Sequence, residues 1–87
     1  MDLKKWQSRV LTQVRPGPYR MLLLKVLEEA GAEFTKIDSD FRAEILRDAG
    51  LGSEEVRRLL VEAEQQGFLR LYESKMSPWN MAVELLS

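Results

Sequence analysis

Ile45-Leu46-Arg47-Asp48-Ala49-Gly50-Leu51-Gly52-Ser53-Glu54-Glu55-Val56-Arg57-Arg58-Leu59 is the stretch that decides the fold. Gly50 divides two apolar patterns, each with helical spacing. Before it, Phe41, Ile45, Leu46 and Ala49 mark the buried face of a helix that Asp38, Ser39 or Asp40 can cap. After it, Val56, Leu59, Leu60 and Ala63 recur at i, i+3, i+4 and i+7, the cleanest amphipathic pattern in the chain. Ser53 is expected to cap this second helix, with Glu54 and Glu55 in a first turn whose dipole favours carboxylates. Glycine permits the left-handed backbone of a tight turn, and Leu51, Val56 and Leu59 would lock the two helices at a steep angle.

Downstream, Gly67 stops the second helix. Leu69 and Leu71 then alternate onto one face, as do Met81, Val83 and Leu85. With polar residues and Pro78 between them, residues 68–72 and 80–86 predict a β-hairpin with a loop of about seven residues. Upstream, Phe34-Thr35-Lys36-Ile37 is one short strand, and Tyr19 to about Ala30 is a helix apolar over most of its circumference, ended by Gly31. Pro18 suits that helix's first turn, and Arg15-Pro16-Gly17-Pro18 is a rigid corner. Before the corner, Leu3, Trp6, Val10 and Val14 form one stripe on a further helix. The expected architecture is mainly α with a small antiparallel hairpin: an N-terminal amphipathic helix over 1–15 and one domain over 16–87, forming a single unit.

Composition narrows the chemistry. The chain has 87 residues, no Cys and no His, which excludes disulfides, thiolate nucleophiles, imidazole bases and the usual zinc ligands. No nucleophile–base pair, phosphate-cradling glycine loop or metal cluster can be read, so the expectation is a binding protein, without metal or cofactor, and not an enzyme. No apolar run suits a signal peptide or approaches the ~18 residues of a membrane span, so a cytoplasmic protein that does not engage membranes is expected. The formal charge of −1 is unevenly spread. Residues 1–25 hold six basic side chains against Asp2, or +5; the rest holds seven against thirteen acids, or −6. A basic end is either an electrostatic footprint for phosphate or a solvated helix face.

Helix, strand, helix, glycine turn, helix and hairpin, with Gly50, Leu51, Val56 and Leu59 in place, resemble the winged helix-turn-helix superfamily over roughly residues 19–86. The run from Leu59 through Gly67 to Leu69 resembles the passage from its last helix into the wing. One departure is Leu46, where many members have a small residue at the helix crossing; a larger side chain there would push the helices apart. The resemblance implies double-stranded DNA as a ligand, in transcriptional, plasmid or phage regulation. It directs the start of the last helix to the major groove, with Ser53, Arg57 and Arg58 near the bases and Arg42, Arg47 and the wing-tip Lys75 near the backbone. Glu54, Glu55, Glu62 and a pI near 5.5 count against a groove-facing surface.

The other reading is a winged-helix module that docks a protein partner. Met76 and Trp79 would anchor it from the hairpin loop, unless Trp79 folds back on the core. The Leu3, Trp6, Val10 stripe either packs on its own domain, where a small chain needs the area, or joins a second copy. Packing on its own domain comes first, and a homodimer through that stripe is the hypothesis to test, because the proline corner would hold the helix away from the rest.

Overall fold

The computed structural model describes residues 2–30, 34–74 and 80–87. Four helices and three strands follow in the order α1 (Leu3–Gln13), α2 (Pro18–Glu29), β1 (Phe34–Ile37), α3 (Ser39–Ala49), α4 (Ser53–Gln65), β2 (Leu69–Glu73) and β3 (Met81–Leu85). The fold is helix-rich, and the hairpin is not alone: β1 joins it to give an antiparallel sheet in the order β1-β3-β2. Leu69 pairs with Leu85 and Leu71 with Val83, while Thr35 pairs with Val83 and Ile37 with Met81.

Local chemistry sets the helix ends. Asp2 opens α1, its carboxylate accepting from the backbone N–H groups of Lys4 (3.0 Å) and Lys5 (3.2 Å). Asp38 caps α3 by accepting from Phe41 N–H at 2.9 Å. Gly50, at φ 69°, takes the left-handed conformation that a β-carbon would strain, and its N–H closes α3 onto Leu46 O at 2.9 Å. Gly17, at φ 153° before Pro18 opens α2, also takes a backbone that side chains rarely adopt.

Two sequence expectations are corrected at these ends. Ser53 is not the cap of α4. Gly52 holds that position, its carbonyl accepting from Val56 N–H at 2.9 Å, and no side chain caps the helix. Nor does Leu46 wedge the helices apart: it is 55% exposed and points away from the core. The Gly31 end of α2 lies outside the described residues.

The core is one cluster built from all seven elements. Leu22, Leu23 and Val26 of α2 sit at its centre with Phe41 and Ile45, then Val56, Leu59, Leu60 and Ala63, then the inner face of the sheet at Ile37, Leu69, Met81, Val83 and Leu85. Trp6, Val10 and Val14 belong to it as well. Trp6 is 1% exposed and Val10 fully covered, with Leu3 half-buried against the same cluster. The Trp6 ring meets Phe68 edge-on with centroids 6.1 Å apart, and its Nε1–H donates to Phe68 O at 2.7 Å. Arg9 lies over the Phe68 ring at 5.1 Å and donates to the carbonyls of Leu86 (3.1 Å) and Gly67 (3.2 Å).

The dimer stripe is thereby corrected. The proline corner turns α1 back onto the domain, and the large apolar area of Trp6 is used inside the chain. Its indole N–H has its hydrogen bond there too, as a buried polar group requires. Two charged hydrogen bonds from Arg9 hold the same end of the helix.

Candidate functional site

Two surfaces compete for a ligand: the exposed side of α3 and α4, and the outer face of the sheet. The first carries the residues expected to meet DNA. Core burial of Val56, Leu59, Leu60 and Ala63 turns Glu54, Arg58, Val61 and Gln65 to the far side of α4, since helical positions three and four apart share a face. Arg57 lies on the flank toward β2, and its Nη2 donates to Glu73 Oε2 at 3.0 Å. An exposed pair of this kind is worth about 0–1 kcal/mol, so it would not by itself keep Arg57 from another partner. Its consequence is electrostatic: the Glu73 carboxylate offsets the charge that Arg57 would offer a phosphate.

Arg47 pairs with its neighbour Asp48, Nε to Oδ1 at 3.2 Å. Arg42 donates from Nη1 to Ile37 O at 3.1 Å and so ties α3 to the end of β1. Arg58 is exposed, and among the described residues it has no ion pair, not even with Glu54 one turn away. Ser53 is half-buried in the first turn of α4. Lys75, Met76 and Trp79 lie outside the described residues.

The basic N-terminal segment does not extend this surface. Arg9 anchors α1 at Gly67 and Leu86, beyond the C-terminal end of α4. Arg57 and Arg58 are in the first half of that helix, about ten residues or ~15 Å along its axis. Lys25 is half-buried and bridges Glu44 of α3 and Glu29 of its own helix, the latter at 3.3 Å. Hydrogen bonding to Glu44 holds its ammonium above the usual lysine range.

The sheet's outer face was not singled out by sequence. Across its three strands lie two rows of side chains. In the first, Phe34 is opposite Glu84 and Glu84 opposite Arg70; in the second, Lys36 is opposite Ala82 and Ala82 opposite Tyr72. Phe34 is 51% and Tyr72 43% exposed. Their rings meet diagonally above β3, centroids 5.8 Å apart at 44°, where the small side chain of Ala82 leaves room. Tyr72 donates its hydroxyl to Glu84 Oε1 at 3.2 Å, and Arg70 approaches the same oxygen at 4.0 Å. The signal available in sequence was the alternation itself: once Leu69, Leu71, Met81, Val83 and Leu85 are assigned inward, Arg70, Tyr72, Ala82 and Glu84 must face outward.

One edge of this sheet is closed. Leu71 N–H, on the outer side of β2, donates to Glu64 Oε2 of α4 at 2.7 Å, and the Arg57–Glu73 pair crosses nearby. An exposed strand edge invites pairing with another chain, and here a helix side chain satisfies it.

Tyr19, at the start of α2, donates to Gln66 Oε1 at 2.7 Å. Burial, with the Glu62 carboxylate beside it, pushes its phenol up to about 12. It fastens the proline corner to the end of α4.

No family model, curated protein or solved structure matches this chain. Among the described residues no helix is long and apolar enough to cross a membrane.

Proposed function

We propose that this chain is an interaction module of the winged-helix kind, which docks a protein partner through the outer face of its sheet. The order of elements supports the winged-helix reading: α2, β1, α3, a glycine turn, α4 and a hairpin, with β1 laid against β3. The observation that carries the protein reading is the Phe34–Tyr72 pair. Two large rings stand exposed side by side, framed by Lys36, Arg70 and Glu84. Exposed aromatic residues within a charged frame are the usual anchors of protein interfaces. By contrast, the α4 surface has Arg57 matched by Glu73, and Arg58 sharing its face with Glu54.

A second reading, binding of duplex DNA through α4 in a regulatory role, is favoured by one observation: Arg58 is exposed and has no ion pair among the described residues. Fluorescence anisotropy with mixed-sequence duplexes, near 50 mM salt, separates the two. The protein reading expects no salt-dependent binding at tens of micromolar, and no effect of Arg58→Ala. Salt-dependent binding that weakens in Arg58→Ala by the roughly 1–3 kcal/mol of a base contact would replace it with the DNA reading.

A further inference from the structure

Building on the sheet-face reading, we infer that the partner seated on the outer face is a second copy of this chain. The copies are related by a two-fold axis that runs across the strands, between the two rows of side chains. The pattern of the face is self-complementary about this axis. The rings of Phe34 and Tyr72 occupy one diagonal of the patch, and the cations of Lys36 and Arg70 the other. Rotation sets Phe34 over the partner's Lys36 and Arg70 over the partner's Tyr72, and each pairing is repeated by symmetry. The two rings of each copy meet at the centre of the patch, and each cation then flanks a ring of the other copy, an arrangement that gains strength as water leaves it.

Glu84 comes beside the partner's Lys36, on the neighbouring strand. The other face-to-face two-fold, parallel to β3, stacks the two Glu84 carboxylates on each other and is excluded by their repulsion. The same carboxylate argues against a polyanionic occupant. Glu84 is central to the patch, and ring faces are themselves electronegative. Phosphates would meet negative charge in the middle and only two cations at the corners.

Six side chains make a small patch compared with the roughly 800 Å² per partner of a stable complex, so the dimer is weak and forms at high concentration. Sheets packed face to face stand about 10 Å apart, which these side chains can span.

Sedimentation equilibrium from about 20 to 500 µM tests the inference, in the concentration range where a weak complex becomes populated. The wild type is expected to rise from 10.1 kDa toward twice that mass, reversibly. Arg70→Glu places a carboxylate over the partner's ring and should move the midpoint up more than tenfold; Tyr72→Ala should do the same. Circular dichroism checks that both variants fold. Should Tyr72→Ala unfold through loss of its contact with Phe34, Arg70→Glu carries the test alone. A wild type that stays monomeric at the highest concentration overturns the second copy as occupant, while docking of a different protein would stand. Dimerisation that Arg70→Glu leaves unchanged overturns it equally. Salt-dependent DNA binding in the anisotropy experiment would sink the docking reading instead, so the two failures are distinguishable.

Discussion

The apolar stripe of α1 and the outer face of the sheet form an instructive pair. Leu3, Trp6 and Val10 are regularly spaced on a helix outside the helix-turn-helix stretch, and a proline corner separates them from it. Phe34 and Tyr72 are 38 residues apart, and neither belongs to a conspicuous motif. Yet Trp6 and Val10 are sealed in the core, whereas Phe34 and Tyr72 stand open to solvent. Periodicity tells which side chains share a face; what covers the face depends on where the chain turns. Here Gly17 and the two prolines beside it fold α1 back until Trp6 reaches Phe68, 62 residues away in sequence.

Substitutions can sharpen or break this contrast. Trp6→Ala should have the largest effect. It removes a buried indole and one of the two donors to Phe68 O, the other being Leu86 N–H, costing about 3–5 kcal/mol on the scale of large core truncations. Chemical denaturation measures it, and a loss below 1 kcal/mol would return α1 to the surface. Arg9→Ala should cost about 1–3 kcal/mol, because two charge-assisted hydrogen bonds to backbone carbonyls are lost together. A change within error would mean that the apolar stripe of α1 holds the helix without Arg9.

Phe34→Ala belongs to the other side of the comparison. Its ring is half exposed, so the melting temperature should move little, by the equivalent of about 1 kcal/mol or less. A loss as large as that of Trp6→Ala would show that the outer face is structural and not an interface. Tyr19→Phe should have the smallest effect, about 0.5 kcal/mol at neutral pH from the lost exposed bond to Gln66, with its distinctive signature in alkali. A phenol held near 12 in the folded chain and near its ordinary value when unfolded stabilises fully below about pH 10. That contribution is lost as pH rises toward 12. Lys25 contributes in the same direction, so the comparison is between wild type and Tyr19→Phe, whose stability should fall less steeply over this window. Parallel slopes would detach the shift from Tyr19.

Much of the framework was legible because it rests on local chemistry. Gly50 and the pattern from Val56 to Ala63 place the turn and α4, and the alternation of Leu69, Leu71, Met81, Val83 and Leu85 places the hairpin and its inner face. Legibility ended where the outcome depends on distant partners. Phe34 and Ile37 are the large apolar residues of β1, but a strand sends positions 34 and 37 to opposite faces. Sequence alone could not say which faced inward, and Ile37 took the core while Phe34 went outward. The pairing of β1 with β3, and not with β2, set the Phe34 ring diagonal to Tyr72. The exposed position of Arg57 on α4 was legible in its helical spacing, whereas its pairing with Glu73, 16 residues on, was not. Ser53 read as a cap because its residue type fits one, although Gly52 already held that place.

The central claim is that the molecule's free binding surface is the outer face of the sheet, with α1 spent on the core. Backbone amide shifts recorded by NMR, as the protein is diluted from about 500 to 20 µM, test it residue by residue in the range where weak association is visible. The account predicts changes centred on residues 34–36, 70–72 and 82–84, with those of 3–13 and 53–65 unmoved. No changes at all would remove the second copy as the occupant of that face, and changes clustered on α1 or on the exposed side of α4 would contradict the claim itself.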